Sequence, residues 1–329
     1  MNGRRRQIVV TGAGLMLASS WRVSAIAGTA APLLVVIDID TPGARNAFKN
    51  FVETLERRFA ASSVKPEVRF VPVGAELNAQ NTRALENALK AIRPDIIMAA
   101  NSGFAQMANT MNLRRPIIFF SLNDPVAAGL TDSLTRPNKG MTGFTLGTGV
   151  VSKRREMLLR LVPRCRIMGL LSSTLHPGEG QIRSSVNSMK ELPGIEQRRF
   201  NCDDLKQLVT LLKTKSARAV DAWDVDYVFV PFRYPEETVR EFNTLHRPVI
   251  YPRMKHVHHG GMAAYEPRID EADEAWVSQV ASLLAGVPIE NIPIVQATRY
   301  SFGLNLKACR RVGIEPPKSL IRIADVVIE

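Results

Sequence analysis

The sequence has no hydrophobic run long enough to cross a membrane, few cysteines and none of the common catalytic motifs. Its most apolar stretch, Ile8–Ala18, has 11 residues, whereas a membrane-spanning helix needs roughly 20. G-x-S-x-G, H-E-x-x-H, C-x-x-C and a complete P-loop are all absent, which argues against an enzyme. The three cysteines, Cys165, Cys202 and Cys309, allow at most one disulfide.

Acidic side chains are missing from the first 27 residues, which carry four arginines. Without this segment the formal charge falls from +12 to +8, because 39 basic residues then stand against 31 acidic ones. The remaining basic residues are scattered, without an RNA-binding aromatic motif or zinc-finger spacing, so we expect no nucleic-acid partner. The 329 residues are 45% hydrophobic and 22% charged, a soluble globular composition with room for two domains.

The N-terminus has the order of segments that is typical of an export signal. Arg4-Arg5-Arg6 precedes the apolar stretch, and the small-x-small sequence Ala25-Ile26-Ala27 follows it. We predict a cleaved signal over residues 1–27, with Sec and twin-arginine export both left open. No cysteine directly follows the apolar stretch, so the mature protein is expected to be free in the periplasm. Val9–Gly14 imitates a dinucleotide-binding loop, but Leu17 stands where its third glycine would be.

Short apolar runs alternate with amphipathic stretches from residue 33 onwards. Phe48, Phe51, Val52 and Leu55, for example, share one helical face. The runs are apolar on both sides of the pleat, which predicts parallel sheets with helices on both faces. The predicted strands are 33–37, 68–73, 96–100 and 117–121 in the first half, and 167–172, 227–231, 249–251 and 260–264 in the second.

Two further stretches complete the predicted organisation. The glycine-rich segment Gly140–Gly149 separates the halves, and its composition suits a crossing between two lobes. Near the C-terminus, a strand leads to Asn305, which caps a two-turn helix that ends at Gly313, and Pro316-Pro317 bends the chain into a last apolar stretch. A helix this short is unstable alone, so we expect it to be docked on a larger body.

Ligands of open parallel sheets bind beyond the carboxyl ends of the strands, and this rule selects the candidate site. The candidate ligand-binding residues are Asp40, Thr41, Ser102, Gly103, Phe104, Asn123, Asp124, Thr174, His176, Phe232, Arg233 and Tyr234. No catalytic residue, metal or cofactor is predicted.

Several of these residues leave alternatives open. Ser102 with the backbone N–H groups after it suits a carboxylate, or it simply caps a helix. Asp124 caps a helix or holds a ligand amine. Arg233 and its aromatic neighbours suit a planar or anionic group. His256-Val-His258-His259 resembles a metal motif, but no carboxylate or cysteine at ligand spacing accompanies it, so a polar crossover is the simpler interpretation.

Several segments, in order along the chain, resemble one family. Asn123-Asp-Pro-Val-Ala-Ala-Gly-Leu130, Arg247-Pro-Val-Ile-Tyr-Pro252, Gly260-Gly-Met262 and the run Tyr300–Glu329 are similar to ABC-transporter substrate-binding proteins that bind tryptophan or tyrosine. The resemblance implies an α/β type I periplasmic binding protein fold, with two Rossmann-like lobes that have parallel sheets and are joined by three crossovers. The implied lobes are residues 28–145 plus 255–294, and residues 146–254 plus 295–329.

The resemblance also implies a function. A monomer would capture a small organic ligand by hinge closure and deliver it to an inner-membrane ABC permease. The alternative function is a ligand-sensing module for a membrane signalling protein. One departure bears on the ligand. Where the amino-acid binders have Thr-Asp-Asn, this chain has Phe232-Arg233-Tyr234, so we expect an aromatic or other carboxylate and not a simple zwitterionic amino acid.

Overall fold

The chain is described by a computed structural model over residues 31–74, 78–122, 124–147, 149–172, 192, 194–226, 231, 234–268 and 270–329. The predicted export signal at 1–27 lies outside these residues. Within them, no helix combines the length and the apolar character that a membrane span requires.

The first sheet has six parallel strands in the order β11-β5-β4-β3-β1-β2. Its strands are β1 (Leu33–Ile39), β2 (Glu67–Val73), β3 (Ile96–Ala99), β4 (Ile117–Ser121), β5 (Met141–Thr145) and β11 (Val295–Gln296). The central strand β3 is buried along its whole length, as a sheet with helices on both faces requires.

The second sheet repeats this arrangement in the order β13-β12-β10-β9-β8-β6-β7, in which β10 and β12 form the antiparallel pair. Its strands are β6 (Ile167–Ser172), β7 (Glu196–Asn201), β8 (Ala222–Val225), β9 (Val249–Tyr251), β10 (Ala263–Pro267), β12 (Tyr300–Asn305) and β13 (Val326–Ile328). The first five strands of each half therefore follow one topology, and two doubly wound halves result.

Helices cover both faces of both sheets. They are α1 (Pro42–Arg58), α2 (Ala79–Ile92), α3 (Ser102–Thr110), α4 (Gly149–Leu161), α5 (Leu205–Leu212), α6 (Lys215–Arg218), α7 (Pro235–Asn243), α8 (Met254–His258), α9 (Asp270–Leu284), α10 (Leu306–Arg311) and α11 (Lys318–Ile323). One turn of 3-10 helix covers Ile289–Asn291. On the first sheet, α1 and α9 pack on one face and α2 and α3 on the other.

The chain passes between the two sheets at three crossovers. The first crossover, 146–148, joins β5 to α4; the second, 268–269, joins β10 to α9; the third, 297–299, joins β11 to β12. All three leave a sheet from the carboxyl end of a strand. The carboxyl edges of the two sheets therefore lie on the side of the crossovers.

The structure differs from the predicted lobe boundaries at both ends of the returning segment. β10 and α8, predicted to belong to the first lobe, pair with or pack on the second sheet, because β10 bonds β9 and β12. β11 lies beyond the predicted return at residue 294, yet it pairs with β5 in the first sheet. Only the segment from Asp270 to Gln296 returns to the first sheet.

The predicted glycine-rich crossing is largely a strand. Met141–Thr145 forms β5, and the crossing itself is confined to 146–148. Gly143 is required inside β5 because a Cβ there would overlap the backbone of Phe119 in the neighbouring strand β4. In the second half, β8 at Ala222–Val225 was not predicted, and residues 227–230 of the strand predicted at 227–231 lie outside the described residues.

The C-terminal run contains one more helix and strand than predicted. Asn305 Oδ1 accepts the N–H of Ala308 at 3.0 Å and caps α10, and Gly313 has a φ of 72° after that helix ends. The last apolar stretch then forms α11 and β13. β13 extends the second sheet beside β12, so the run is docked as expected.

The three cysteines are buried free thiols. Cys165 and Cys309 share the core cluster under α4, α10 and α11, whereas Cys202 lies in the cluster under α5, α7 and α8. The sheet therefore separates Cys165 from Cys202, the pair whose disulfide the sequence left open. Burial raises the pKa of each thiol to about 11.

Candidate functional site

The carboxyl ends of four strands of the first sheet bring polar residues to one edge. β1 leads into Asp40 and Thr41, β3 leads into Ser102, β4 ends at Ser121 and β5 ends at Thr145. Because β5 runs directly into the first crossover, this edge faces the second half of the molecule. The structure thus brings together residues that the sequence places far apart.

The clearest feature of this edge is a pair of buried hydroxyl groups. Ser102 is 1% exposed, and its Oγ lies 2.9 Å from Oγ of Ser121. The residue that caps α3 is Asn101, whose Oδ1 accepts the N–H of Phe104 at 2.9 Å. Among the described residues, the N–H groups of Ser102 and Gly103 have no acceptor. Hydroxyls and free N–H groups at a helix start suit a carboxylate.

Three oxygen-bearing side chains lie at the end of β1, and two of them are engaged locally. Thr41 caps α1, because its Oγ1 accepts an N–H of the first turn at 3.1 Å. Asp40 is exposed and binds Arg45 through two hydrogen bonds of 2.6 and 2.8 Å, which lower the pKa of Asp40. Asp38 lies within β1, and burial raises its pKa to about 6, although a hydrogen bond from the N–H of Ile39 acts in the opposite direction. Asp38 is therefore the more buried of the two carboxyls at this strand end.

Two other predicted residues have structural roles. The ring of Phe104 is 1% exposed and packs in the core beneath α2 and α3, so this side chain is held away from the edge. Asp124 Oδ1 accepts the N–H of Val126 at 2.9 Å, and the carbonyl of Asp124 accepts the N–H of Ala128 at 3.0 Å. Asp124 thus begins a turn and not a helix, and its role towards a ligand stays a prediction.

The second sheet carries a buried ionic cluster near the carboxyl end of β8. Asp224 accepts hydrogen bonds from Nε of Arg154 at 2.5 Å and from Nε of Arg155 at 2.8 Å. Arg154 also donates to Asp226 at 3.3 Å. The side chains of Arg154, Arg155 and Asp224 are 0%, 4% and 1% exposed, and that of Asp226 is 21% exposed. Two positive and two negative charges therefore balance in the interior.

None of these four residues was among the sequence candidates. Arg154 and Arg155 occur in a run of basic residues that looks like a solvated helix face. The available signal was the pair of carboxylates in Asp224-Val-Asp226, inside an otherwise apolar stretch, since buried charges need partners of opposite sign. Asp226 follows the last residue of β8, which places it at the carboxyl edge of the second sheet.

His256 is a buried side chain with a backbone carbonyl beside each ring nitrogen. It is 0% exposed, its Nδ1 lies 3.0 Å from the carbonyl of Arg253, and its Nε2 lies 3.1 Å from the carbonyl of Pro231. Burial lowers its pKa to about 4, although both carbonyls act in the opposite direction. The imidazole stacks on Tyr251, with ring centroids 4.9 Å apart. It thereby ties α8 to the segment that begins α7.

The remaining predicted residues are only partly described. Tyr234 lies at the start of α7 and is half-buried against the core of the second sheet. Asn123, Thr174, His176, Phe232 and Arg233 lie outside the described residues.

No group of three or more metal-ligating side chains occurs in the described ranges. A surface depression lies on α1, roughly two helical turns or more along the helix from the end of β1. It is lined by Asn50, Glu53, Thr54, Glu56 and Arg57.

Solved structures share this architecture. A Streptococcus pneumoniae ABC domain in complex with L-Trp aligns with a TM-score of 0.75 and 19% identity, covering 91% of this chain and 99% of that one. The ligand-free, open form of a Clostridium difficile substrate-binding protein with adhesive properties aligns with a TM-score of 0.66 and 18% identity, covering 91% and 99%. The predicted two-lobed type I periplasmic binding protein fold is confirmed.

Sequence comparison adds a relative and a family. A tyrosine-binding protein of Clostridioides difficile is 27% identical over 140 residues, which are 41% of this chain and 39% of that protein. The profile described as "ABC transporter substrate binding protein" matches residues 37–328. A profile that spans almost the entire chain, on a fold shared with such proteins, places the chain in the family of ABC transporter substrate-binding proteins.

Proposed function

We propose that the protein is the solute-binding component of an ABC importer, and that it captures a small carboxylate, aromatic or otherwise, between its two halves. Hinge closure would bury the ligand and present the closed form to an inner-membrane permease. In this proposal the protein works in the periplasm as a monomer, after removal of residues 1–27, and performs no chemistry.

The observation that carries the proposal is the meeting of two carboxyl edges at the crossovers. The edge of the first sheet offers the Ser102 and Ser121 hydroxyls with two N–H groups at the start of α3. The edge of the second sheet offers Asp226 at the end of β8. A ligand held by both edges stabilises the closed arrangement, because neither edge alone completes the site.

The described groups favour a ligand with a carboxylate and a hydrogen-bond donor. The N–H groups of Ser102 and Gly103 are donors at the positive end of a helix, where an anion is stabilised. Asp38 is a carboxyl whose pKa is raised to about 6 by burial, so it accepts from a ligand donor or, when protonated, donates to it. Arg233, whose place at the site is a prediction from the sequence, would supply a cation for the anion.

The test is a thermal-shift and calorimetric screen of the exported form. L-tryptophan, L-tyrosine, indole-3-acetate and phenylacetate are compared with tryptamine and tyramine, which lack the carboxylate. We expect at least one carboxylate to bind and the amines to fail. Ser102→Ala should weaken binding by about tenfold, since one hydrogen bond to a charged group is worth roughly 1.5 kcal/mol.

Ser278→Ala is the matched control, because Ser278 is exposed on α9, and it should leave the affinity unchanged. Equal affinity of Ser102→Ala and the parent protein would remove Ser102 from the site. Stabilisation by tryptophan or tyrosine alone, undiminished in Arg233→Ala, would overturn the preference for a carboxylate over a zwitterionic amino acid. Tight binding of tryptamine or tyramine would overturn the requirement for a carboxylate on the ligand.

A further inference from the structure

Glu271, in the first turn of α9, binds the third crossover with both carboxylate oxygens. Oε2 accepts the N–H groups of Thr298 at 2.9 Å and Arg299 at 3.1 Å. Oε1 accepts the Thr298 hydroxyl at 2.6 Å and Nε of Arg299 at 3.0 Å. Burial alone would raise the pKa of Glu271, but these four hydrogen bonds outweigh it and lower the pKa to about 2. The carboxylate is thus ionised and saturated with donors.

The same crossover is tied to the second sheet from its other side. The carbonyl of Arg299 accepts the N–H of Arg268 at 2.9 Å, which continues the β10–β12 ladder beyond the pair Pro267 and Tyr300. Tyr300 stacks on Tyr265, with ring centroids 5.5 Å apart. The N–H of Arg299 is therefore held by the first half and its carbonyl by the second half.

The first crossover is anchored in a related way. The N–H of Leu146 donates to the carbonyl of Ser121 at 2.9 Å, and the N–H of Gly147 donates to Oγ1 of Thr145 at 3.1 Å. Gly147 has a φ of 72°, and a Cβ there would overlap the side chain of Gln296, next to the third crossover. The backbone is held to the first half as far as Gly147, and α4 begins at residue 149.

We propose that Glu271 is a positioning residue that fixes where the third crossover bends. Its four hydrogen bonds, here called the Glu271 clamp, hold Thr298 and the N–H of Arg299 on the first half, so this crossover bends within Arg299, whose carbonyl is held by the second half. A single bending point restricts how the two halves rotate, and the clamp thereby narrows the range of open forms and favours productive closure.

This proposal rests on the proposed function only where ligand affinity is concerned. The clamp itself is measurable without ligand, through the distance between spin labels on Lys90→Cys in α2 and Lys213→Cys after α5. Both lysines are exposed, whereas the three native thiols are buried and have raised pKa values, so they resist labelling.

In the ligand-free protein, Glu271→Gln should broaden the distribution of distances between the two labels about twofold. The glutamine side chain carries no charge, and its NH2 group is a donor that faces the donors of Thr298 and Arg299, so these hydrogen bonds are weakened or lost. Glu274→Gln is the matched control, since Glu274 is exposed on the same helix and has no hydrogen bond or ion pair among the described residues; it should reproduce the parent distribution. Thr298→Val, which removes only the hydroxyl contact, should give an intermediate width and serves if Glu271→Gln is poorly folded.

Where a carboxylate ligand from the screen binds, Glu271→Gln should also weaken it by about tenfold, because more open forms compete with closure. An unchanged distribution in both Glu271→Gln and Thr298→Val would overturn the clamp. If the distance distribution of Glu271→Gln broadens but no carboxylate in the screen binds, the clamp is supported and the proposed function fails. Failure of the clamp and failure of the proposed function therefore give different results.

Discussion

The buried ionic cluster of α4 and β8 makes the strongest prediction about stability. Replacing Asp224 by asparagine removes the negative charge that Arg154 and Arg155 share and, among the described residues, leaves Asp226 as the remaining counter-charge for their two buried guanidinium groups. Their side chains are 0% and 4% exposed, so water cannot replace the lost carboxylate. Breaking a buried pair from one side costs about 3–5 kcal/mol, and we expect the free energy of unfolding to fall by this amount.

The assay is equilibrium unfolding in urea, followed by tryptophan fluorescence. Glu67→Gln is the control, because Glu67 pairs with Arg69 on the surface and both side chains are about half exposed; its effect should stay below about 0.5 kcal/mol. A triple variant with Arg154→Met, Arg155→Met and Asp224→Leu should recover much of the loss, since apolar groups replace the three most buried members of the cluster and Asp226 is partly exposed. A loss below about 1 kcal/mol for Asp224→Asn would refute this account of the cluster.

Two further predictions concern packing and pH. Gly143→Ala should lower the free energy of unfolding by about 1–3 kcal/mol, because its Cβ meets the backbone of Phe119. Gly149→Ala, with open space around it, should be nearly neutral in the same urea assay; equal effects would contradict the argument. His256 has a native pKa of about 4 against 6.5 when unfolded, so it stabilises the fold above pH 6.5 and this contribution, up to about 3 kcal/mol, is lost as the pH falls towards 4. The stability difference between the parent and His256→Gln should therefore shrink over that range, and a constant difference would count against a neutral buried imidazole.

The sequence predicts the fold well where burial and periodicity agree. β3 and β9 are apolar throughout, and β1 and β4 are apolar except for Asp38 and Ser121 near their ends, so the positions of these strands follow from the sequence alone. β5 was missed because a glycine and two threonines weaken the strand signal, although Gly143 is there to let β4 approach. β8 was missed because Asp224 interrupts its apolar sequence. This buried carboxylate is tolerated in the strand because it pairs with two arginines about 70 residues earlier in the chain.

The candidate site was predictable in outline and not in detail. The rule that ligands bind beyond strand ends selected Ser102, which the structure places at the carboxyl edge of the first sheet, while its role towards a ligand stays a prediction. It could not show that Ser121 supplies the second hydroxyl, because that contact depends on the order of strands in the sheet. It also could not separate Asp38 from Asp40, since their different roles depend on burial of the first and on the Arg45 ion pair of the second.

The late position of β11 and β12 in the chain has a consequence for how the protein folds during synthesis. β11 completes the first sheet from residue 295, and β12 joins β10 to β13 in the second sheet from residue 300. Neither sheet is complete until the residues after 294 have been synthesised, so this long-range pairing comes last. Both halves therefore depend on the same late segment, and a chain that stops before residue 295 would leave two incomplete sheets with open edges.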